Sequence, residues 1–200
     1  LKFTIYLMRI NKIILASKSE VRKKILLENG IFCETEPSKI DEEVIKRSLL
    51  LEGASPEIIS KNLAELKANK ISNKMPEELV LGADSVIDLN GEIISKPRSR
   101  EGALDILKKM SGKSHFLISS VCISKKGNMI WNYTDKAKLV MKDFNENDLK
   151  SYLSKISDKD LYSYNVYQIE GKGKDLFSEI NGDKNTIMGL PITKIKNYLQ

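Results

Sequence analysis

Short apolar runs alternate along the chain with longer segments in which apolar residues recur every three or four positions. The runs predict buried strands, and the helical spacing predicts amphipathic helices between them. Residues that favour helix N-caps stand directly before several helical segments, namely Ser19, Ser55, Ser99 and Asn145. This alternation predicts an α/β fold whose sheet is partly antiparallel.

The expected elements cover most of the chain. We expect strands at 13–16, 78–83, 91–97, 115–124 and 129–141, and helices at 19–30, 41–51, 55–71, 99–112, 145–156 and 192–199. A Lys-Gly-Asn turn joins the two longest strands and predicts a hairpin. We expect one domain with two lobes over residues 8–200, and a non-functional N-terminal extension over residues 1–7.

Composition narrows the class of protein. The chain has 33 basic and 27 acidic residues, a formal charge of +6, without a block of basic residues that would predict stable nucleic-acid binding. Cys33 and Cys122 lie in separate apolar segments, as expected of core thiols in a reducing cytoplasm. No apolar run reaches the roughly 18 residues of a membrane span, so no membrane partner is expected. A small polyanionic substrate would account for the excess of positive charge.

The stretch ASKSEVRKK at 16–24 places cations at a helix start, where the helix dipole is already positive. Ser17 and Ser19 end the preceding strand. Their hydroxyls, together with the free N–H groups of the first turn, would form an anion site. Arg22 and Lys23 are then complementary to the anion. The alternative is an ordinary capped helix with solvated cations.

Asp84 and Lys67 are charged residues in apolar settings. Asp84 interrupts an apolar strand, where a carboxylate is costly unless it is paired or bound to a metal. Alternatively, the strand ends at Ala83 and Asp84 lies in a turn. Lys67 shares one helix face with Ile59 and Leu63, so it either points into a cleft or extends to its rim.

Lys96 and the acidic pair Asp41 and Glu42 are further candidates for a charged site. Lys96 precedes Pro97 in an extended segment and is either directed at a site or solvated. Asp41 and Glu42 begin a helix, where they act as partners of its dipole or as a metal-binding pair.

The sequence lacks the residues that several other kinds of catalytic site require. His115 is the single histidine, so neither a zinc site nor a serine–histidine–aspartate triad is expected. The glycine-rich motifs of P-loop and dinucleotide-binding proteins are missing from the sequence. Serines, arginine, lysines and carboxylates remain. This set suits an enzyme of polyphosphates, in which cations hold phosphates and carboxylates hold a metal and activate water.

These motifs resemble those of the Maf family of nucleoside triphosphate pyrophosphatases, and the similarity extends from Ile13 to Leu199. The matching segments follow the family's order: ASKSEVR at 16–22, the acidic pair at 41–42, LAELKA at 63–68, GADS at 82–85, GEIISKP at 91–97 and YQIEGKG at 167–173. Glu20 replaces the proline of the family's first motif. Residues 40–68 most resemble members of the 7-methyl-GTP type.

The resemblance implies a mixed, bent central sheet flanked by helices, a deep cleft between two lobes, and often a homodimer. It also implies hydrolysis of a nucleoside triphosphate to the monophosphate and pyrophosphate. We hypothesise water attack at the α-phosphorus, with Asp84 as the proton acceptor or as a ligand, together with Glu42, of Mg²⁺ or Mn²⁺. The residues expected to bind the phosphates are Ser17, Ser19, Arg22, Lys23, Lys67 and Lys96.

Base preference is expected to depend on Val21, Ser85 and Glu170, which align with the family's specificity positions. A carboxylate at 170 can accept both donors on the guanine edge, so 7-methyl-GTP is the favoured substrate. Alternatively, Glu170 forms an ion pair with Lys172 or Lys174. Two other functions stay open: a dTTP or UTP pyrophosphatase of the same family, and a non-catalytic nucleotide sensor acting on cell division.

Overall fold

The structure is a computed structural model that describes residues 12–163 and 166–200. The strands are β1 Lys12–Leu15, β2 Phe32–Thr35, β3 Val80–Leu89, β4 Glu92–Ile94, β5 Ser114–Lys125, β6 Asn128–Met141 and β7 Phe177–Asn181. The helices are α1 Glu20–Glu28, α2 Glu42–Leu51, α3 Pro56–Lys74, α4 Arg100–Met110, α5 Glu146–Ser154, α6 Asp158–Ser163, α7 Lys184–Ile187 and α8 Ile192–Leu199, with a 3₁₀ turn at Lys172–Leu176.

The strands of the described residues form one seven-stranded sheet in the order β2-β1-β3-β5-β6-β7, with β4 paired to β3. Strand β1 runs parallel to both β2 and β3, whereas the β3–β4 and β6–β7 pairs are antiparallel. The prediction of a mixed α/β fold is therefore confirmed. The cleft between two lobes stays a prediction, and the expected extension at residues 1–7 lies outside the described residues.

Side-chain caps set the helix starts much as the sequence predicted. Ser19, Ser55, Ser99 and Asn145 each accept a hydrogen bond from the backbone N–H three residues later. Asp41 caps α2 in the same way, so its side chain serves the helix start. Helix α3 extends to Lys74, beyond the expected end at 71, because Ile71 and Ser72 are buried. The short helices α6 and α7 were not predicted, since neither is long enough to show a helical period.

The two faces of the sheet around β1 are covered by different helices. Ile13 and Leu15 pack into a cluster that includes Ile25 of α1 and Ile195 of α8. The alternate residues of β1 pack into a second cluster with Ala64, Ala68 and Ile71 of α3. Because side chains of a strand alternate between faces, α1 and α8 cover one side of β1 and α3 covers the other.

The chain divides into two compact units. The first contains the described residues up to Ser85, residues 118–136 and residues 183–200; the second contains residues 86–117 and 137–182. In the second unit, His115 Nε2 lies 2.8 Å from the Tyr167 hydroxyl, and both rings contact Phe177. Burial lowers the pKa of His115 to about 4, so this histidine is a neutral core residue at pH 7.

No helix in the described part of the chain combines the length and the apolar character needed to cross a membrane.

Candidate active site

Lys67 of α3 binds two carboxylates in the first unit. Its ammonium lies 2.8 Å from Asp84 Oδ1 and 3.0 Å from Glu42 Oε1, and its third proton points towards the Ala83 carbonyl at 3.5 Å. Lys67 and Asp84 are only 6% and 4% exposed. Lys67 therefore points into the protein, and the alternative of a lysine that extends to the rim is wrong.

Close packing between β3 and α3 produces this contact. Gly82 faces α3 so closely that a Cβ there would lie 2.2 Å from the Ala64 carbonyl oxygen and 2.7 Å from the Ala68 nitrogen. Asp84 lies two residues further along the strand and so on the same face, opposite Lys67. The strand continues through Asp84 to Leu89, so the alternative that Asp84 lies in a turn is also wrong.

Burial and the neighbouring cations have opposite effects on the pKa values of the two carboxyls. Burial raises the pKa of Asp84 above its ordinary value and the charge of Glu42 adds to the rise, although Lys67 and Arg22 oppose it. For Glu42, partial burial also favours the neutral form, but Lys67, Lys46 and Arg22 outweigh it and lower the pKa. Asp84 is therefore the more basic carboxylate of the pair.

Arg22 brings a second cation to the same region. Its guanidinium donates from Nε to the Gly189 carbonyl at 3.0 Å and from Nη1 to the Ala83 carbonyl at 2.9 Å. Nη1 also donates to Ser17 Oγ at 3.2 Å, and Nη2 donates to Ser85 Oγ at 3.1 Å. Burial lowers the pKa of Arg22, and Asp84 and Glu42 oppose that shift. All four of these acceptors are neutral oxygens, so none of these hydrogen bonds pairs the guanidinium with an anion. The positive charge can therefore attract an anionic ligand.

Ser17 and Ser19 prepare the start of α1. Ser17 Oγ accepts hydrogen bonds from the Ser19 N–H and from Arg22, which use both of its lone pairs. Toward a ligand, Ser17 can act only as a donor. Ser19 Oγ instead accepts from the Arg22 N–H and caps the helix.

Val21 and Lys23, the two other predicted site residues of α1, lie in different surroundings. Val21 is half-buried and packs against the core cluster on the α1 side of the sheet. Lys23 is half-buried near Cys33; burial raises the pKa of that thiol, and the charge of Lys23 opposes the rise. The structure thus brings together Ser17, Arg22, Glu42, Lys67, Asp84 and Ser85.

Lys96 and Glu170 belong to the second unit. Lys96 is exposed in the loop after β4, and Glu170 is exposed in the turn before the 3₁₀ segment. Their roles stay predictions.

Two serines of this region were not predicted from the sequence. Ser60 donates to the Asp84 carbonyl at 3.2 Å, and Ser119 lies 2.8 Å from Ser85 Oγ. A serine inside an otherwise apolar strand, as in LISSVCI, is the signal that could have indicated Ser119.

Comparison with known proteins assigns the family. The family described as Maf-like protein matches residues 12–200. The chain belongs to the Maf family.

Relatives of this Maf protein match over almost their whole length. A protein of Pelagibacter ubique (strain HTCC1062) named nucleoside triphosphate pyrophosphatase is 68% identical over 191 residues, covering 96% of this chain and 98% of the relative. A Ruegeria sp. (strain TM1040) protein of the same name is 39% identical and covers 94% of each chain. A 7-methyl-GTP pyrophosphatase of Brucella suis biovar 1 (strain 1330) is also 39% identical, covering 90% of this chain and 91% of the relative.

The carboxylates of this Maf protein fit a divalent metal shared with a ligand. Within the described residues, no group of three or more His, Cys, Asp or Glu could hold a metal by itself. Asp84 Oδ2, however, is buried without a hydrogen-bond partner in that part of the chain. Mg²⁺ is commonly held by one or two carboxylates together with substrate phosphates. Asp84 and Glu42 can provide the carboxylates.

The close approach at Gly82 is tested by Gly82→Ala. The added methyl must push α3 away from β3, so we expect the free energy of unfolding to fall by about 3 kcal/mol. Urea unfolding measures the change. Gly102→Ala is the control, because a Cβ at that helical position meets only Ser99 Oγ, at 3.3 Å. Equal stability of the Gly82 variant and wild type would contradict the packing described.

Proposed function

We propose that this Maf protein hydrolyses a nucleoside triphosphate to the nucleoside monophosphate and pyrophosphate by attack of water at the α-phosphorus. The general activity, that of a nucleoside triphosphate pyrophosphatase, is supported by its family and by the names of its relatives. The proposal of water attack at the α-phosphorus rests on one observation. Among the described residues, Arg22 forms hydrogen bonds only to neutral oxygens, and it lies beside Asp84, a buried carboxylate with one oxygen that has no hydrogen-bond partner.

The phosphates are expected to bind at the start of α1. Arg22 supplies charge there, Ser17 supplies a hydroxyl proton, and the first N–H groups of the helix point toward the anion. Ser19 shapes this turn through its cap, and Lys23 adds a nearby positive charge. A site of this kind favours a polyphosphate over a neutral substrate because it presents several donors and no unpaired anion to the phosphate side.

Asp84 is the residue we assign to proton transfer. Its raised pKa makes it a stronger base than an ordinary carboxylate, and its Oδ2 is available to accept a proton from the attacking water. Lys67 fixes the other oxygen at 2.8 Å and thereby orients the carboxylate. The charge of Lys67 and that of Lys96 are expected to favour the developing charge of the pyrophosphate leaving group.

A divalent cation, Mg²⁺ or Mn²⁺, completes the proposal. Glu42 would hold it, joined by Asp84 where that carboxylate acts as a metal ligand instead of as the proton acceptor, and when bound the metal would neutralise phosphate charge and acidify water. The proposed location is the cytoplasm, where nucleotides are used, and the free thiols of Cys33 and Cys122 agree with it. A homodimer stays a prediction.

The base is proposed to be of the guanine type, with 7-methyl-GTP as the first choice. Glu170 can accept from the two adjacent donors of the guanine edge, whereas the carbonyls of uracil and thymine would face its carboxylate. Val21 and Ser85 are the other proposed specificity positions. The name of the Brucella suis relative agrees with this choice, and a preference for dTTP or UTP is the alternative.

Asp84→Asn tests the proton acceptor, since the amide keeps the shape of the side chain and removes its charge and basicity. We expect turnover to fall more than about tenfold, a barrier change above about 1.4 kcal/mol, while the nucleotide still binds. Phosphorus NMR identifies the products, and calorimetry measures binding.

Asp88→Asn is the matched control on the same strand. Asp88 accepts a hydrogen bond from the Gly91 N–H, which an amide oxygen can also accept, so its turnover should match wild type. Activity of Asp84→Asn above a tenth of wild type would remove Asp84 from its assigned role. Release of orthophosphate by wild type would exclude attack at the α-phosphorus.

Glu170→Gln tests the choice of base. We expect wild type to give the highest kcat/KM with 7-methyl-GTP among 7-methyl-GTP, GTP, UTP and dTTP. The amide donor of glutamine should move the ratio toward UTP and dTTP by about tenfold, as a changed hydrogen-bond pair does. Glu179→Gln, at an exposed position of β7, serves as the control. An unchanged ratio, or a wild-type preference for UTP or dTTP, would contradict the assignment.

A further inference from the structure

A line of hydroxyl groups runs from Arg22 to helix α7, within the first unit. Arg22 Nη2 donates to Ser85 Oγ at 3.1 Å, and Ser85 Oγ lies 2.8 Å from Ser119 Oγ. Ser119 Oγ in turn donates to the Thr186 carbonyl at 2.7 Å. Ser119 and Thr186 are fully buried.

The direction of every hydrogen bond in this line follows from proton counting. A carbonyl oxygen can only accept, so the single hydroxyl proton of Ser119 is used on Thr186. In the contact between the two serines, Ser85 must therefore donate and Ser119 must accept. Because Ser85 has given its proton to Ser119, it can meet Arg22 only as an acceptor, which is the polarity that a guanidinium requires.

The far end of the line is fixed by helix α7 and its N-cap. Thr186 Oγ1 donates to Asp135 Oδ2 at 2.6 Å, and the Thr186 N–H donates to Asp183 Oδ1 at 3.0 Å. The Gly189 carbonyl, in the turn after α7, accepts from Arg22 Nε at 3.0 Å. The guanidinium is thus fixed from two sides, directly by Gly189 and through Ser85 by Ser119.

We propose that Ser119 is a positioning residue for Arg22, acting through Ser85. This inference rests on the proposed function, in which Arg22 binds substrate phosphate. Ser119 keeps the Ser85 hydroxyl turned as an acceptor, so Nη2 stays in place and its second proton stays directed at the ligand. Without Ser119, the Ser85 hydroxyl can rotate and turn its own proton toward Arg22, which repels the guanidinium.

Ser120 provides a matched comparison on the next position of β5. It is fully buried like Ser119 and also lies in a hydroxyl pair, 2.9 Å from Thr134 Oγ1. Alternation along the strand places it on the opposite face from Ser119. Loss of the Ser120 hydroxyl removes one buried hydrogen bond and loss of the Ser119 hydroxyl removes two, but of the two serines only Ser119 is connected to Arg22.

The experiment compares Ser119→Ala, Ser120→Ala, Ser85→Ala and the double variant at 85 and 119, in the full chain. Ser119→Ala should raise KM for the best nucleoside triphosphate about tenfold and change kcat by less than about threefold, because binding rather than the chemical step is affected. Ser120→Ala should leave both constants within about twofold of wild type. In the Ser85→Ala background, the Ser119 substitution should have almost no further effect on KM, because Ser119 acts through Ser85.

The outcomes separate this inference from the proposed function. Equal effects of Ser119→Ala and Ser120→Ala on KM, or an undiminished effect of Ser119→Ala in the Ser85→Ala background, would overturn it. Calorimetry with tripolyphosphate repeats the comparison without turnover, and the same pattern of affinities is expected. If wild type hydrolyses none of the nucleotides, the proposed function fails, whereas the tripolyphosphate data still decide the role of Ser119. Should Ser119→Ala not fold, Ser119→Cys, a weak donor and acceptor, takes its place with the same expected direction.

Discussion

The ammonium of Lys67, held between Asp84 and Glu42 inside the protein, is the interaction on which the candidate site depends. Removing charges from water is costly, and a buried ion pair persists only when its donors and acceptors are well matched. Lys67 meets this condition because its three protons face three oxygens of Asp84, Glu42 and Ala83. The match in turn requires α3 to touch β3, which a residue larger than glycine at position 82 would prevent.

The site combines two cations that are used differently. Lys67 is bound directly to carboxylates, whereas the hydrogen bonds of Arg22 go to carbonyls and hydroxyls. Lys67 fixes the acidic side of the site, and one oxygen of Asp84 has no donor within the part of the chain that the structure describes. Arg22 keeps its charge at the start of α1. A polyanion with an attackable phosphorus between these two sides is the substrate that this distribution of charge fits best.

Local chemistry made much of this predictable from the sequence. Capping serines set the starts of α1, α3 and α4. The spacing of Ile59, Leu63 and Lys67 placed Lys67 on the apolar face of its helix but left open whether the ammonium points inward or extends to the rim, which the structure decides in favour of the first. The partners of Arg22 were not predictable, because Ser85 and Gly189 are brought to it by strand pairing and by a turn far along the chain. The same holds for Ser119, whose function depends on which face of β5 it occupies. Lys96 was indicated by its extended position before Pro97 and by a family motif, and Glu170 by the resemblance alone; the roles of both rest on that resemblance.

The position of water attack is the most direct test of the proposed reaction. Hydrolysis of 7-methyl-GTP or GTP in ¹⁸O-enriched water, followed by mass spectrometry of the products, shows which phosphorus receives the new oxygen. Attack at the α-phosphorus predicts one ¹⁸O atom in the nucleoside monophosphate and none in pyrophosphate. Label in pyrophosphate, or labelled orthophosphate as the first product, would contradict it.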